Sequence, residues 1–229
     1  MQSLPQAIPQ KTLNSANQIL LALTFLVASG PISARTPDPE RGKKVFYASG
    51  GCGCHTDVQN DGPFMGGGRG IKTPFGIFFG SNITPHPEEG VGRWSDEDFI
   101  RAMTLGMAPD GRHYFPVFPY TSFRLMNKED LLHLKDYLFS LPPSSRVNTE
   151  HNVPFPFNWR PPLFFWKLLF LEKGSYQPDP SRSKSWNRGA YLSNALAHCG
   201  ECHTPRNLLG GLNPSMHYAG SQEGPEGEL

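Results

Sequence analysis

The run Cys199-Gly200-Glu201-Cys202-His203 constrains this chain more than any other feature. Two thiols three residues apart on a helical turn project to the same side, and the histidine that follows sets an imidazole beside them. The same spacing serves a disulfide, a redox dithiol, half of a zinc site, or a pair of thioether bonds to porphyrin vinyl groups with the histidine on iron. Redox dithiols rarely carry the adjoining histidine, and no second cysteine pair with zinc-like spacing lies nearby. The residues therefore favour covalent haem c, with Cys199 and Cys202 attached to the porphyrin and His203 as iron ligand.

The feature is repeated. Arg41-Gly42 followed by Cys52-Gly53-Cys54-His55-Thr56 is echoed by Arg188-Gly189 followed by Cys199 to Thr204, with 13 residues from Arg to the second Cys in the first copy and 14 in the second. The first copy is thus one residue short. On a regular helix Cys52 and Cys54 would project about 200° apart and could not both meet one porphyrin edge. Three outcomes stay open: an extended backbone with both thiols bonded, attachment through Cys54 alone, or no covalent haem at this copy. His55 is the iron ligand in either of the first two, and two haems are expected in all.

Composition fits a chain wrapped around a large group. Gly (24) and Pro (23) are abundant while charged residues make up only 18%, which suits loops more than long helices or regular sheets. The 21 Lys+Arg against 20 Asp+Glu leave a net charge of +1, with no basic stripe to recruit nucleic acid. Residues 1–34 read as an export signal or an N-terminal anchor, with Lys11, an apolar run over 19–28 and a cleavage-like Ile32-Ser33-Ala34. That run is too short to span a bilayer, and it predicts a periplasmic protein.

Local signals divide the rest. Asp38-Pro39-Glu40 starts a helix, Ser95 with Asp98 starts another that Gly106 stops, and a third runs over 127–141 until Pro142-Pro143. The second copy opens its helix near Ser185. Short helices joined by loops such as Gly66-Gly67-Gly68 and Thr73-Pro74-Phe75-Gly76 predict a mostly α protein of two tandem units. The boundaries expected are 35–143 for the first, 144–180 for a Pro-rich linker with an apolar patch at 163–171, and 181–229 for the N-terminal part of the second. For the sixth iron ligand of the first haem, Met126 between a Pro-rich loop and the last helix ranks above Met65, Met103 and Met107; Met103 on a helix face suits core packing. Met216 is the methionine that follows the second motif.

Several further stretches match one family. They include Ser81-Asn82-Ile83-Thr84-Pro85, Gly92-Arg93-Trp94-Ser95-Asp96-Glu97-Asp98-Phe99, Asp110-Gly111-Arg112, Phe118-Pro119-Tyr120, Trp186-Asn187-Arg188-Gly189-Ala190-Tyr191-Leu192 and His198 through Asn207. With these the chain resembles the cytochrome c subunits of bacterial membrane-associated dehydrogenases of the alcohol and gluconate type. The resemblance implies tandem class I cytochrome c domains, the second truncated here, that relay electrons from a partner dehydrogenase towards quinone or another respiratory-chain acceptor, with peripheral membrane association. It implies an electron-transfer subunit and no substrate chemistry; the alternative is a di-haem peroxidase or sulfur-compound oxidoreductase with an open iron position. Many relatives carry Met where this chain has Phe118.

Overall fold

The computed structural model describes residues 35–172 and 174–221. The expected export signal at residues 1–34 lies outside the described residues. Helix α1 (Pro39–Ala48) opens where the sequence places it: the Asp38 carboxylate accepts from the Arg41 N–H at 2.9 Å and Pro39 takes the first helical position. Helix α2 (Asp96–Leu105) carries a reciprocal cap between Ser95 and Asp98, and Gly106 ends it in the left-handed conformation at φ 57°. A single turn α3 (Tyr120–Phe123) precedes α4 (Lys128–Phe139), capped by Asn127.

Helices α1 and α4 cross at contact distance, and Gly42 makes the crossing possible: a Cβ there would overlap the His133 carbonyl oxygen and press on Tyr137. Val45 and Phe46 of α1, Phe99 and Met103 of α2, and Leu131, Leu134 and Leu138 of α4 fill the core. The loop after α1 contains a short antiparallel hairpin, β1 (Gly70–Thr73) with β2 (Gly76–Phe79). Its turn is the Thr73-Pro74-Phe75-Gly76 stretch expected to be plain loop.

Helix α5 (Pro162–Phe170) occupies the apolar patch of the linker, but it is turned inside out. Phe164, Phe165, Leu168 and Leu169 face outward while Lys167, its one charged residue, is buried. The Lys167 ammonium donates to the Leu105 and Gly106 carbonyls at 2.6 and 2.7 Å and meets His113 Nδ1 at 2.8 Å. It thereby satisfies the carbonyls left over at the end of α2. Burial lowers Lys167 to about 8, and burial with the Lys167 charge keeps His113 below its usual pKa, so the imidazole accepts. Between about pH 8 and the ordinary lysine pKa near 10.4 the unfolded chain holds a proton that the folded chain releases, so this residue's share of stability rises with pH. Thermal unfolding of the wild type and Lys167→Met at about pH 7.5 and 9.5 should therefore give a stability difference that moves in favour of the wild type at the higher pH. A pH-independent difference would contradict it.

The second copy begins with α6 (Lys184–Tyr191), capped by Ser183, and runs into a π-helical turn (Leu192–Leu196). Tyr191, Ala195 and Leu196 join the core that the first copy builds. The Tyr191 hydroxyl donates to the buried Asp130 carboxylate of α4 at 2.7 Å. The short helix α7 (Gly200–His203) carries the second motif, and a 3₁₀ turn (Pro214–Met216) follows it. Among the described residues no helix is long and apolar enough to cross a membrane.

Candidate haem site

The first motif does not keep a regular helical turn. Gly51 and Cys52 have φ 67° and 49°, with ψ 17° and 36°, so the backbone turns left-handed before it re-enters a 3₁₀ turn that ends at His55. Two glycines, Gly50 and Gly51, precede that turn and admit positive φ at no steric cost. The consequence is that Cys52 and Cys54 line the same cavity, although helical geometry would have set them on opposite sides. Burial, then the neighbouring Cys54, pushes Cys52 up to about 12, so it stays a neutral thiol. None of the four cysteines forms a disulfide.

His55 is aimed by its surroundings. Its Nδ1 donates to the Ser81 carbonyl at 2.6 Å, which fixes the tautomer and leaves Nε2 with its lone pair. Burial lowers its pKa, opposed by that hydrogen bond, and favours the neutral ring a metal ligand needs. Ser81 is itself anchored through Asn82, whose buried side chain donates to the Ser144 and Arg146 carbonyls at 2.7 and 3.0 Å and accepts from Thr84. Gly67 N–H meets the His55 carbonyl at 2.8 Å, and a Cβ on Gly80 would overlap the Cys54 carbonyl oxygen. The Ser81-Asn82-Ile83-Thr84 stretch therefore braces the His55 imidazole from behind, a role the sequence alone does not assign.

In the second copy α7 supplies the regular turn that the full spacing calls for, with His203 N–H bonded to the Cys199 carbonyl at 3.0 Å. Cys202 lies on the cavity wall, Cys199 is half-buried, and His203 is exposed. Glu201, between the cysteines, is buried and accepts from Thr121 at 2.9 Å, Ser122 at 2.7 Å and Arg206 at 2.6 Å. Together with His198, whose ring stands edge-on to Phe123 at 5.3 Å, it ties the second motif to α3 of the first copy. A carboxylate set between the two cysteines of the motif is the signal that could have pointed to this clamp.

The methionines separate by placement. Met126, the expected sixth ligand, is only 2% exposed and packs in the core, off the cavity wall. Met65 is sealed in the same way, and Met107 is half-buried and also off the wall. Met103 and Met216 do line the cavity.

That cavity, about 2380 Å³, runs from the first motif to the second, well above the roughly 300–1,000 Å³ of ordinary ligand pockets. Its thiols, oriented imidazole and aromatic walls, among them Trp94, Phe99 and Phe118, fit a covalently attached porphyrin, and they define a c-type cytochrome. Similar proteins bear the same character. The chain is 39% identical over 217 residues to a diheme cytochrome c-type protein of Cereibacter sphaeroides, covering 90% of this chain and 71% of that one. It is 37% identical over 196 residues to the fructose dehydrogenase cytochrome subunit of Gluconobacter japonicus, covering 85% of this chain and 40% of that protein. It is 50% identical over 179 residues to a nicotinate dehydrogenase subunit of Pseudomonas putida, covering 78% of this chain and 15% of that protein. The chain thus spans less than half the length of the last two relatives. No family model matches the chain. The chain belongs to the cytochrome c subunits of bacterial dehydrogenases, whose part is electron transfer, with haem c as cofactor.

Proposed function

We propose that this chain is a periplasmic, peripherally membrane-associated electron carrier that accepts electrons from a partner dehydrogenase subunit and delivers them to quinone or another respiratory-chain acceptor. It does so on two haems. The first is attached through Cys52 and Cys54 with His55 on iron, in a unit spanning 35–143. The second is attached through Cys199 and Cys202 with His203 on iron, in a second unit from residue 181, with 144–180 between them. The bound haem supplies a one-electron ferric/ferrous couple. The residues around it attach it, orient its imidazole and screen it from water.

The observation that carries this reading is the single cavity reached by thiols of both motifs, since a carrier needs its centres held close within one shell. The clamp from Glu201 to Thr121 and Ser122 supports it by fixing one motif against the other. The export-like pattern of residues 1–34 supports the compartment.

Stopped-flow oxidation of the dithionite-reduced holoprotein tests the assignment. Rapid oxidation by a soluble ubiquinone analogue, with no steady consumption of hydrogen peroxide or thiosulfate, is the expected result. Sustained turnover of peroxide or thiosulfate by the chain alone would assign it to the oxidoreductases.

A further inference from the structure

We infer that Met103, on the inner face of α2, is the sixth iron ligand at the first haem. The inference rests on the proposal that the first motif binds haem, and it replaces the loop methionine position that this chain fills with Phe118. Class I sites take a thioether because its soft sulfur favours ferrous iron, so the question is which sulfur reaches the cavity. Met103 lines it together with Cys52, Cys54 and His55, whereas Met65 and Met126, in the same core cluster, do not reach the cavity wall. Met126 and Met65 are each almost wholly enclosed elsewhere in that core. Met216 lies at the other end of the chain, where Tyr218 N–H and Gly220 N–H bond Thr204 and His203 of the second motif.

The backbone of α2 supports the role. The Ser95–Asp98 cap and the Gly106 stop fix the rotation of the helix, so that Phe99, Ala102 and Met103 all face the cavity. Lys167 holds the end of the same helix through the Leu105 and Gly106 carbonyls, so the ligand sits on a rigid element and not on a loop. The segment that would hold a loop methionine offers Val117, Phe118 and Pro119 to the cavity, none of which can donate to iron.

The test uses the holoprotein labelled with methyl-¹³C methionine, with each of Met65, Met103, Met107, Met126 and Met216 changed in turn to Leu, a swap that keeps volume and core packing. In the reduced wild type an iron-bound methionine methyl is shifted far upfield by the porphyrin ring current. The inference expects an upfield resonance that Met103→Leu alone removes, together with loss of the weak sulfur-to-iron charge-transfer band of the oxidised form, while intact mass keeps the same haem number. If Met126→Leu, Met65→Leu or Met107→Leu removes that resonance instead, or if the only upfield methyl belongs to Met216, the inference is overturned. Intact mass keeps the two levels apart: haem present with the methyl unshifted refutes the ligand, whereas no haem on the Cys52–Cys54 peptide refutes the underlying reading and the ligand with it.

Discussion

His55→Ala is expected to leave the haem attached at the first motif while abolishing the low-spin spectrum of that centre. The thioether bonds are independent of the axial bond, so the haem count by mass should not change. The iron loses the ring that the Ser81 carbonyl holds at 2.6 Å, and added imidazole should restore the low-spin form by filling the space. Asn82→Ala tests the brace behind the ligand. It removes a buried side chain that serves the Ser144 and Arg146 carbonyls and Thr84, at a cost of about 1–3 kcal/mol, and outer partners of a metal-bound histidine are worth about 10–100-fold in affinity or activity. A His55→Ala protein whose low-spin spectrum is unchanged would show that another residue binds the iron there.

Gly42→Ala and Gly189→Ala, equivalent positions in the two copies, should differ widely in stability. At Gly42 the new Cβ meets the His133 carbonyl oxygen, a backbone atom that no rotamer change can move aside, so α1 and α4 must separate at a cost of about 3 kcal/mol. For a chain of this size that lowers the melting temperature by several degrees. At Gly189 a Cβ meets nothing within 4 Å, and the exposed helical site gains about 0.5–1 kcal/mol from the better helix former. Melting curves of the two variants against the wild type measure the contrast. Equal, small effects would mean that the α1–α4 crossing is looser than the packing indicates.

The parts of the fold that are legible in the sequence are those set by local chemistry. Asp38 with Pro39, Ser95 with Asp98 and Gly106, and Asn127 each mark a helix end through hydrogen bonds within one turn, and such signals survive without knowledge of the rest of the chain. The complete second motif is legible for the same reason, because its i, i+3 cysteines need only a helical turn. The first motif departs from the helical expectation because Gly50-Gly51 admits the left-handed turn at Cys52. Both glycines are visible in the sequence, and they are the signal that a regular helix through this stretch overlooks.

What the sequence does not convey depends on contacts distant along the chain. Met126 follows a Pro-rich loop as a ligand methionine would, and its burial in the core, like the place of Met103 on the cavity wall, depends on packing between elements. Lys167 reads as the polar break in an apolar helix, and it is buried because the carbonyls ending α2 lie opposite it. The hydroxyl partners of Glu201, Ser122 and Thr121, lie 79 and 80 residues away, beyond the reach of any periodic pattern.

Two covalently attached haems in one chain would be counted by intact mass spectrometry of the denatured holoprotein combined with its pyridine haemochrome spectrum. The expected mass is two haems above the apoprotein, with peptide mapping that finds one porphyrin on Cys52 and Cys54 and the other on Cys199 and Cys202, and a haemochrome band characteristic of vinyl groups saturated at both sites. A mass of one haem, or haem that acid-acetone extracts from the chain, would contradict it.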